Sequence, residues 1–422
     1  QHWYEWFSCG CNHIYRRYCT LIPRQMWSVV FTTALLVAFP TCFASEMLQS
    51  KTSSINNNIE IIDIKSNSIG EVYKSWEDRF PKESPLFDYS AKQDPERALL
   101  AVHESLAFVM QWLPTAIISR LASFPFQKSG PSAILLRGLP IDVDIPPTPI
   151  KASVFDDAGD RETDSSTLVP IAESWLLGIS RLMGFPTGAP LATGDRGGLI
   201  RDITQNADDV NDLPMHRDYP AVARDPKFAM VEPEIFILFG VRGDVDDSGA
   251  KTVVMDSKTL LDMMNPTDRA LLRTTTVQTE IELPNGEYFA IGRPFLPIID
   301  NEEDGTSTVT LNNLPKARYV SPDGGGQTVE AYKRMSQLAF DKGERVNLKA
   351  GDMLIIQNSR LVHGRTKFYN TGSCLASGRW LIKAYVTNRL WKIPGETSLS
   401  DMAHTDYPNL NPMGWGGFRQ QD

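Results

Sequence analysis

Six histidines are spread over the 422 residues. His216 stands two residues before Asp218 in PMHRDYP, and His363 lies in RLVHGRTKF. A His-x-Asp pair needs only a short piece of backbone to direct a nitrogen and a carboxylate at one ion. A distant histidine can complete the set. Two histidines and one carboxylate, with coordination positions left open, are the ligands of the non-haem Fe(II) oxygenases. The same three groups also suit zinc. By itself the pair is a weak signal, because such pairs are common as surface or capping residues. Arg379, in SGRWLIKAYV, follows His363 by sixteen residues. On a buried strand an arginine can hold a carboxylate through two parallel hydrogen bonds. An oxygenase that uses a dicarboxylic co-substrate needs such an anchor. Taken alone, Arg379 reads rather as a surface residue or a structural ion pair.

The flanking patterns say what must position these groups. PERALLAVHESLAFVMQW and the residues after it, about 95–122, carry apolar side chains at helical spacing. SAILLRGLP, 132–140, reads as a buried strand ending in a turn, and IPPTPI, 145–150, as extended chain. Residues 171–186 form a second amphipathic helix closed by Gly184 and Pro186. Beyond 197 the elements shorten. VEPEIFILFGVRGD contains a strand, and AKTVVMDSKTLLDMM runs from strand to helix, with Asp256 or Ser257 as the cap. Residues 265–280 give a helix then a strand, 286–300 more strand, and 328–341 a helix. Residues 344–368 read as strand, tight turn at Gly351-Asp352, strand and loop. GRWLIKAYVTNRLW, 378–391, is the closing strand. The pair 216–218 is expected just before a strand.

Composition limits the classes. Hydrophobic residues make up 42% and charged residues 22%, and the formal net charge is -9. That describes a globular chain without the basic surface a nucleic acid requires. The 28 prolines and 29 glycines favour short elements over a helical bundle. The first methionine is Met26, so 1–25 reads as an upstream extension. Residues 26–44 have the apolar run and small-residue end of a signal segment, with Ala44 as the cleavage point. Entry to the secretory route, on the way to an organelle, is the expectation, with a cytoplasmic location as the alternative. Pro40 and the short run argue against a stable membrane span. Four of the five cysteines precede that point, which leaves Cys374 alone in the mature chain. Residues 45–94 read as a flexible lead-in, 95–395 as one domain and 396–422 as a tail.

Five segments, in order, resemble a known family. They are LLRGLP with PPTP, then PMHRDYP, PEIFILFGVRGD, AGDMLIIQNSRLVHGRT and GRWLIKAYV. The chain resembles the iron(II)/2-oxoglutarate-dependent dioxygenases of the TauD superfamily over roughly 132–390. Within it the likeness is to the clavaminate-synthase-like branch and its hydroxylases of free asparagine and arginine. The resemblance implies a mainly β fold with flanking helices, a double-stranded β-helix or cupin-like jelly roll. It implies Fe(II) on His216, Asp218 and His363, with 2-oxoglutarate and O2 as co-substrates. Arg379 matches the arginine that clamps the far carboxylate of 2-oxoglutarate, and Thr252 a threonine that touches it. Arg365 matches a position beside the distal ligand and could meet a substrate carboxylate or brace the iron-site loop; Arg293 and Arg318 could also reach a substrate carboxylate but read better as ordinary ion-pair residues. Asp218 excludes halogenation, which needs its position vacant. The chain departs from the branch in having H-x-D for H-x-E, and Gly364 where alanine is usual. The implied reaction is oxidation of an unactivated C–H in a small amino-acid-like carboxylate. Hydroxylation is the first expectation, with desaturation or kainoid-type ring closure as the alternative. A non-catalytic jelly-roll binding protein and a zinc hydrolase are the remaining rivals. The segment 195–214 is read as a cover for the site.

Overall fold

In this computed structural model the described residues are 48–55, 58–66, 69–80, 95–149, 169–187, 199–204, 211–218, 233–243, 249–282, 288–291, 298–301, 307–311, 317–321, 325–368 and 378–387. The expectations for 1–25, 26–44 and 396–422, and for Arg293, lie outside them.

A hairpin comes first, β1 (Leu48–Ile55) and β2 (Ile59–Ser66), then α1 (Ile69–Arg79). The stretch expected as a flexible lead-in therefore carries three regular elements. Next come α2 (Pro95–Trp112) and α3 (Thr115–Ser123). Pro114 stands at the α3 N-cap and splits the single helix read over 95–122, because proline offers no N–H to continue the ladder. Strand β3 (Ala133–Arg137) leads by a long connection to α4 (Pro170–Met183). Short strands β4 (Phe185–Thr187), β5 (Arg201–Thr204) and β6 (Leu213–His216) precede the long β7 (Ile235–Arg242). Then β8 (Thr252–Asp256) runs into α5 (Ser257–Met263), capped by Asp256 as expected, whose carboxylate accepts from the Thr259 N–H at 3.1 Å. Helix α6 (Pro266–Thr274) is followed by β9 (Gln278–Glu282), β10 (Tyr288–Ile291), β11 (Ile299–Asn301), β12 (Ser307–Val309) and β13 (Ala317–Val320). The chain closes with α7 (Gly326–Lys342), β14 (Glu344–Val346), β15 (Met353–Gln357), β16 (Leu361–Arg365) and β17 (Trp380–Thr387). Gly351 has φ of 81°, the left-handed conformation the expected tight turn needs.

The large sheet has the order β1-β2-β3-β15-β7-β17-β4, with β5 also on β17. Its pairs are antiparallel apart from β2–β3. A second sheet has the order β14-β8-β16-β6. The two face each other across an apolar layer. Leu135, Phe236, Leu238, Leu354, Leu381 and Tyr385 come from the large sheet, and Val254, Val346 and Leu361 from the second. The other face of the large sheet is covered by α2 and α4, where Trp175 and Phe108 pack with ring centroids 4.8 Å apart. The other face of the second sheet is covered by α5, α6 and α7 through Leu260, Leu272, Tyr332 and Met335. Each buried Leu, Ile or Phe is worth about 1.5–3 kcal/mol relative to exposure. Three such layers easily outweigh the cost of seating a few partnered polar groups on the inner faces.

This corrects the expected jelly roll. Neither sheet closes, and no ladder among the described residues joins one to the other. Helices account for as many residues as strands. The fold is mixed α/β with open sheets. Closure is a matter of which strand edges hydrogen-bond to each other. Here helices bury the outer faces, so the sheets reach full burial without closing.

Candidate metal and co-substrate site

The side chains of β16 alternate. Val362 faces the helices, and Leu361, His363 and Arg365 face the inner layer. In β6, Met215 faces the helices and His216 turns inward. His363 is the direct cross-strand partner of His216. The backbone register alone thus brings together two residues far apart in sequence. His216 ends its strand and Asp218 lies just past it; the position expected for the following strand, 219–232, lies outside the described residues. One ligand atom from each of His216, Asp218 and His363 falls within 4.8 Å of the others. The two Nε2 atoms lie 3.8 and 3.7 Å from opposite oxygens of Asp218. His216 Nδ1 donates to the Pro214 carbonyl at 2.9 Å, which leaves the Nε2 lone pair toward the cluster.

Burial lowers the pKa of both histidines and outweighs the Asp218 carboxylate, which acts the other way. They stay neutral, the form that ligates a metal. Burial pushes the Asp218 carboxyl up, but the Lys383 ammonium bonded to it opposes this, and the group is held well below the usual range. Two neutral imidazoles and one carboxylate, converging on one point, fit a divalent metal.

Three buried cations share the inner faces with this cluster. Arg379 is 3% exposed, and its Nη2 donates to the Thr252 hydroxyl at 3.1 Å. Thr252 sits directly across β8–β16 from Arg365, so the two project to the same side. Arg365 stacks over Phe368 at 4.1 Å and donates to the Thr366 carbonyl. The third cation, Lys383, was missed in the sequence. Its ammonium donates to Asp218 Oδ2 and lies 4.6 and 4.7 Å from the rings of Phe236 and Tyr385. Phe236 in turn lies 4.4 Å from the His363 ring. The signal was present: Lys383 is four residues after Arg379 in an otherwise apolar strand, and even spacing in a strand means one face.

Asn358 was also missed. It is fully buried, accepts from the Asp218 N–H at 3.1 Å, and donates to the carbonyls of Asp218 at 2.9 Å and Pro233 at 3.1 Å. This amide fixes the backbone of the carboxylate ligand. Gly364 explains the departure from alanine. A Cβ there would stand 2.7 Å from the Leu213 carbonyl oxygen and 3.0 Å from Met215 Sδ. The close approach of β16 to β6 needs glycine. Arg318 pairs with Glu280 at 2.6 Å between β13 and β9, half exposed. Of the expected cover, 201–204 forms β5 on β17, and its Asp202 accepts from the Trp380 indole at 2.7 Å. Residues 195–198 and 205–210 lie outside the described residues.

Residues 169–385, just over half of the chain, match the model of the taurine catabolism dioxygenase TauD, TfdA family. The chain belongs to the TauD/TfdA family. The match spans the whole ligand set and decides for iron where the three ligands alone left zinc open. This member of the TauD/TfdA family is an Fe(II)- and 2-oxoglutarate-dependent dioxygenase. An L-lysine 3-hydroxylase of Catenulispora acidiphila is 26% identical over 294 residues, 64% of this chain and 73% of that protein. The fold is similar to that of asparagine oxygenase in complex with Fe(II), 2S,3S-3-hydroxyasparagine and succinate. That match has TM-score 0.56 and 18% identity and covers 77% of this chain and 93% of the other. It is also similar to the non-heme iron oxygenase OrfP in complex with Fe, succinate and (3S)-hydroxy-L-Arg, with TM-score 0.51 and 20% identity, covering 79% and 95%. Among the described residues no helix is long and apolar enough to cross a membrane.

Proposed function

We propose that this dioxygenase hydroxylates a small, free, amino-acid-like carboxylate. The observation that carries the reading is the charge on the inner faces: Arg365, Arg379 and Lys383 are all buried there, and Lys383 bonds the metal-ligand carboxylate of Asp218. His216, Asp218 and His363 hold Fe(II). Held there with 2-oxoglutarate, Fe(II) would supply O2 activation for oxidation of an unactivated C–H, with succinate and CO2 as the products of the co-substrate. Arg379 takes the far carboxylate of 2-oxoglutarate through its planar fork. Thr252 accepts from Arg379, which leaves its own O–H available as a donor. Two cations then remain, and a substrate with a carboxylate of its own uses them. Lys383, held against Phe236, Tyr385 and Asp218, is the anchor beside the metal-ligand carboxylate, and Arg365, two residues past the ligand His363, is the second. The protein's part in the reaction is to hold one carbon of the substrate at the open metal positions and to keep water out.

The hydroxylated amino acids on the similar solved structures, and the lysine hydroxylase relative, support hydroxylation of a free amino acid. Desaturation or oxidative ring closure starts from the same hydrogen abstraction and is the second reading. The test is a coupled screen. Free amino acids, including L-lysine, L-asparagine and L-arginine, and their N-alkyl derivatives are incubated aerobically with Fe(II) and 2-oxoglutarate. Succinate and product mass are followed together. Gain of one oxygen in step with succinate is the expected result, and loss of two hydrogens selects the second reading. Coupled turnover of a peptide or nucleic acid, with none on any small carboxylate, overturns both.

A further inference from the structure

The proline stretch at 145–148 has no part in the chemistry above, yet it is tied to the site by a specific set of bonds. Arg242 is the last residue of β7. Its Nη2 donates to the carbonyls of Pro146 at 2.9 Å and Ile145 at 3.3 Å, and its Nη1 donates to the Thr148 hydroxyl at 2.5 Å. The Thr148 hydroxyl then donates to the Gly378 carbonyl at 2.8 Å, across 230 residues of sequence. Thr148 is 4% exposed, so the bond is shielded from water. Gly378 is the residue before Arg379.

The location matters because the β17–β7 ladder is irregular there. From Leu381 to Val386 the register is continuous, but it shifts between Trp380 and Leu381, where Trp380 faces Arg242. On the other edge the β5 ladder runs in regular register as far as Trp380, opposite Thr204, so Arg379 stands one residue beyond both ladders and no strand pair holds its own backbone. Two side-chain bonds bracket it instead. On its C-terminal side the Trp380 indole donates to Asp202 at 2.7 Å. On its N-terminal side Thr148 holds the Gly378 carbonyl.

We infer that Thr148, oriented by Arg242, is a positioning residue for Arg379, and that the IPPTP segment is the brace that aims the guanidinium at the far carboxylate of the co-substrate. The inference rests on the assignment of Arg379 as that clamp. Proline suits the brace, because its fixed φ makes 146–147 stiff and presents the carbonyls that Arg242 grips. One hydroxyl serves both bonds, accepting from Arg242 and donating to Gly378. Serine can replace it, and valine, of nearly the same shape, can do neither.

The test is direct binding to the full-length protein loaded anaerobically with Fe(II). Titrants are 2-oxoglutarate and 2-oxovalerate, the analogue with a methyl group in place of the far carboxylate. The wild type is expected to prefer 2-oxoglutarate. Thr148→Val should lose about fivefold in 2-oxoglutarate affinity while binding 2-oxovalerate as the wild type does. Thr148→Ser should return 2-oxoglutarate binding to within about twofold of the wild type. Arg242→Lys, which loses the fork spanning Thr148 and two carbonyls, should show the same selective loss, and it replaces Thr148→Val if that variant does not fold. Equal weakening of both acids in the valine and lysine variants, or wild-type 2-oxoglutarate binding in both, overturns the brace. Arg379→Leu separates the two ideas. If it binds both acids alike while the brace variants match the wild type, the clamp stands and the brace falls. If Arg379→Leu keeps the wild-type preference for 2-oxoglutarate, the clamp assignment itself is wrong and the brace falls with it.

Discussion

Arg379, just before β17, and Lys383, within it, both lie toward the inner layer, but their environments differ. Arg379 is bonded to a neutral hydroxyl, and Lys383 to the carboxylate that ligates the metal. Arg379→Leu removes a charge-assisted double contact, so the KM for 2-oxoglutarate should rise by about 10- to 100-fold. Arg379→Lys should recover only part, because an ammonium lacks the fork. Steady-state assays with varied 2-oxoglutarate check both, and equal KM values in the three proteins would remove Arg379 from the co-substrate site. Lys383→Met keeps the volume and deletes the charge. It should raise the KM for the amino-acid substrate by about tenfold or more, with a much smaller effect on 2-oxoglutarate. Metal affinity should hold or increase, since a positive charge beside the metal has gone. A fall in Fe(II) affinity on anaerobic titration would instead make Lys383 a support for Asp218.

At the level of elements, the metal ligands depend on the approach of β16 to β6. His363 faces His216 across that ladder, and the register shifts immediately afterwards, before Arg365. Gly364 sits in the irregularity with the Leu213 carbonyl against it. Gly364→Ala must push the strands apart or twist one of them. We expect a stability loss of about 1–3 kcal/mol, the usual cost of overpacking, together with a larger relative loss of Co(II) affinity. Denaturant unfolding and Co(II) titration read the two separately. Wild-type Co(II) affinity in the alanine variant would show that the spacing of β16 and β6 has slack. The sequence exposed the oddity of glycine at this position, but not its cause, because the cause is a carbonyl on another strand.

For the whole molecule, the site is a seam between two open sheets. Metal ligands come from the second sheet and the loop past β6, and the buried cations Arg379 and Lys383 from the large sheet. Metal with co-substrate should therefore fasten one sheet to the other. Mn(II) and 2-oxoglutarate, each at about 100 times its dissociation constant, stabilise the folded state by about 2.7 kcal/mol apiece, about 5 kcal/mol together. In a chain of this size that corresponds to a rise in Tm of about 5 °C or more. Asp218→Ala should abolish the rise. Thermal unfolding over a concentration series checks it, and a flat Tm in the wild type would mean that ligand binding does not join the sheets.

His216, Asp218 and His363 were legible in the sequence because metal chemistry restricts ligand types to a few residues and their spacing to a few patterns. The strands and helices were legible for a similar reason: burial imposes a period of two or about 3.6 on apolar residues. The family followed from the order of five short segments. Lys383 could have been found by the same alternation that exposes Arg379. Asn358 and Thr148 could not, since each acts through one hydrogen bond or a few with a residue more than a hundred positions away, and a single sequence carries no trace of such partners. The jelly-roll expectation failed on the same ground. Alternation reports which face of a strand is buried. It does not report which edge pairs with which, and edge pairing is what separates a closed barrel from the two open sheets found here. Local chemistry and periodicity are properties of neighbouring residues, so the sequence determined them. Register, edge partners and long-range bonds are decided when distant segments compete for the same partners, and only the tertiary structure resolves that competition.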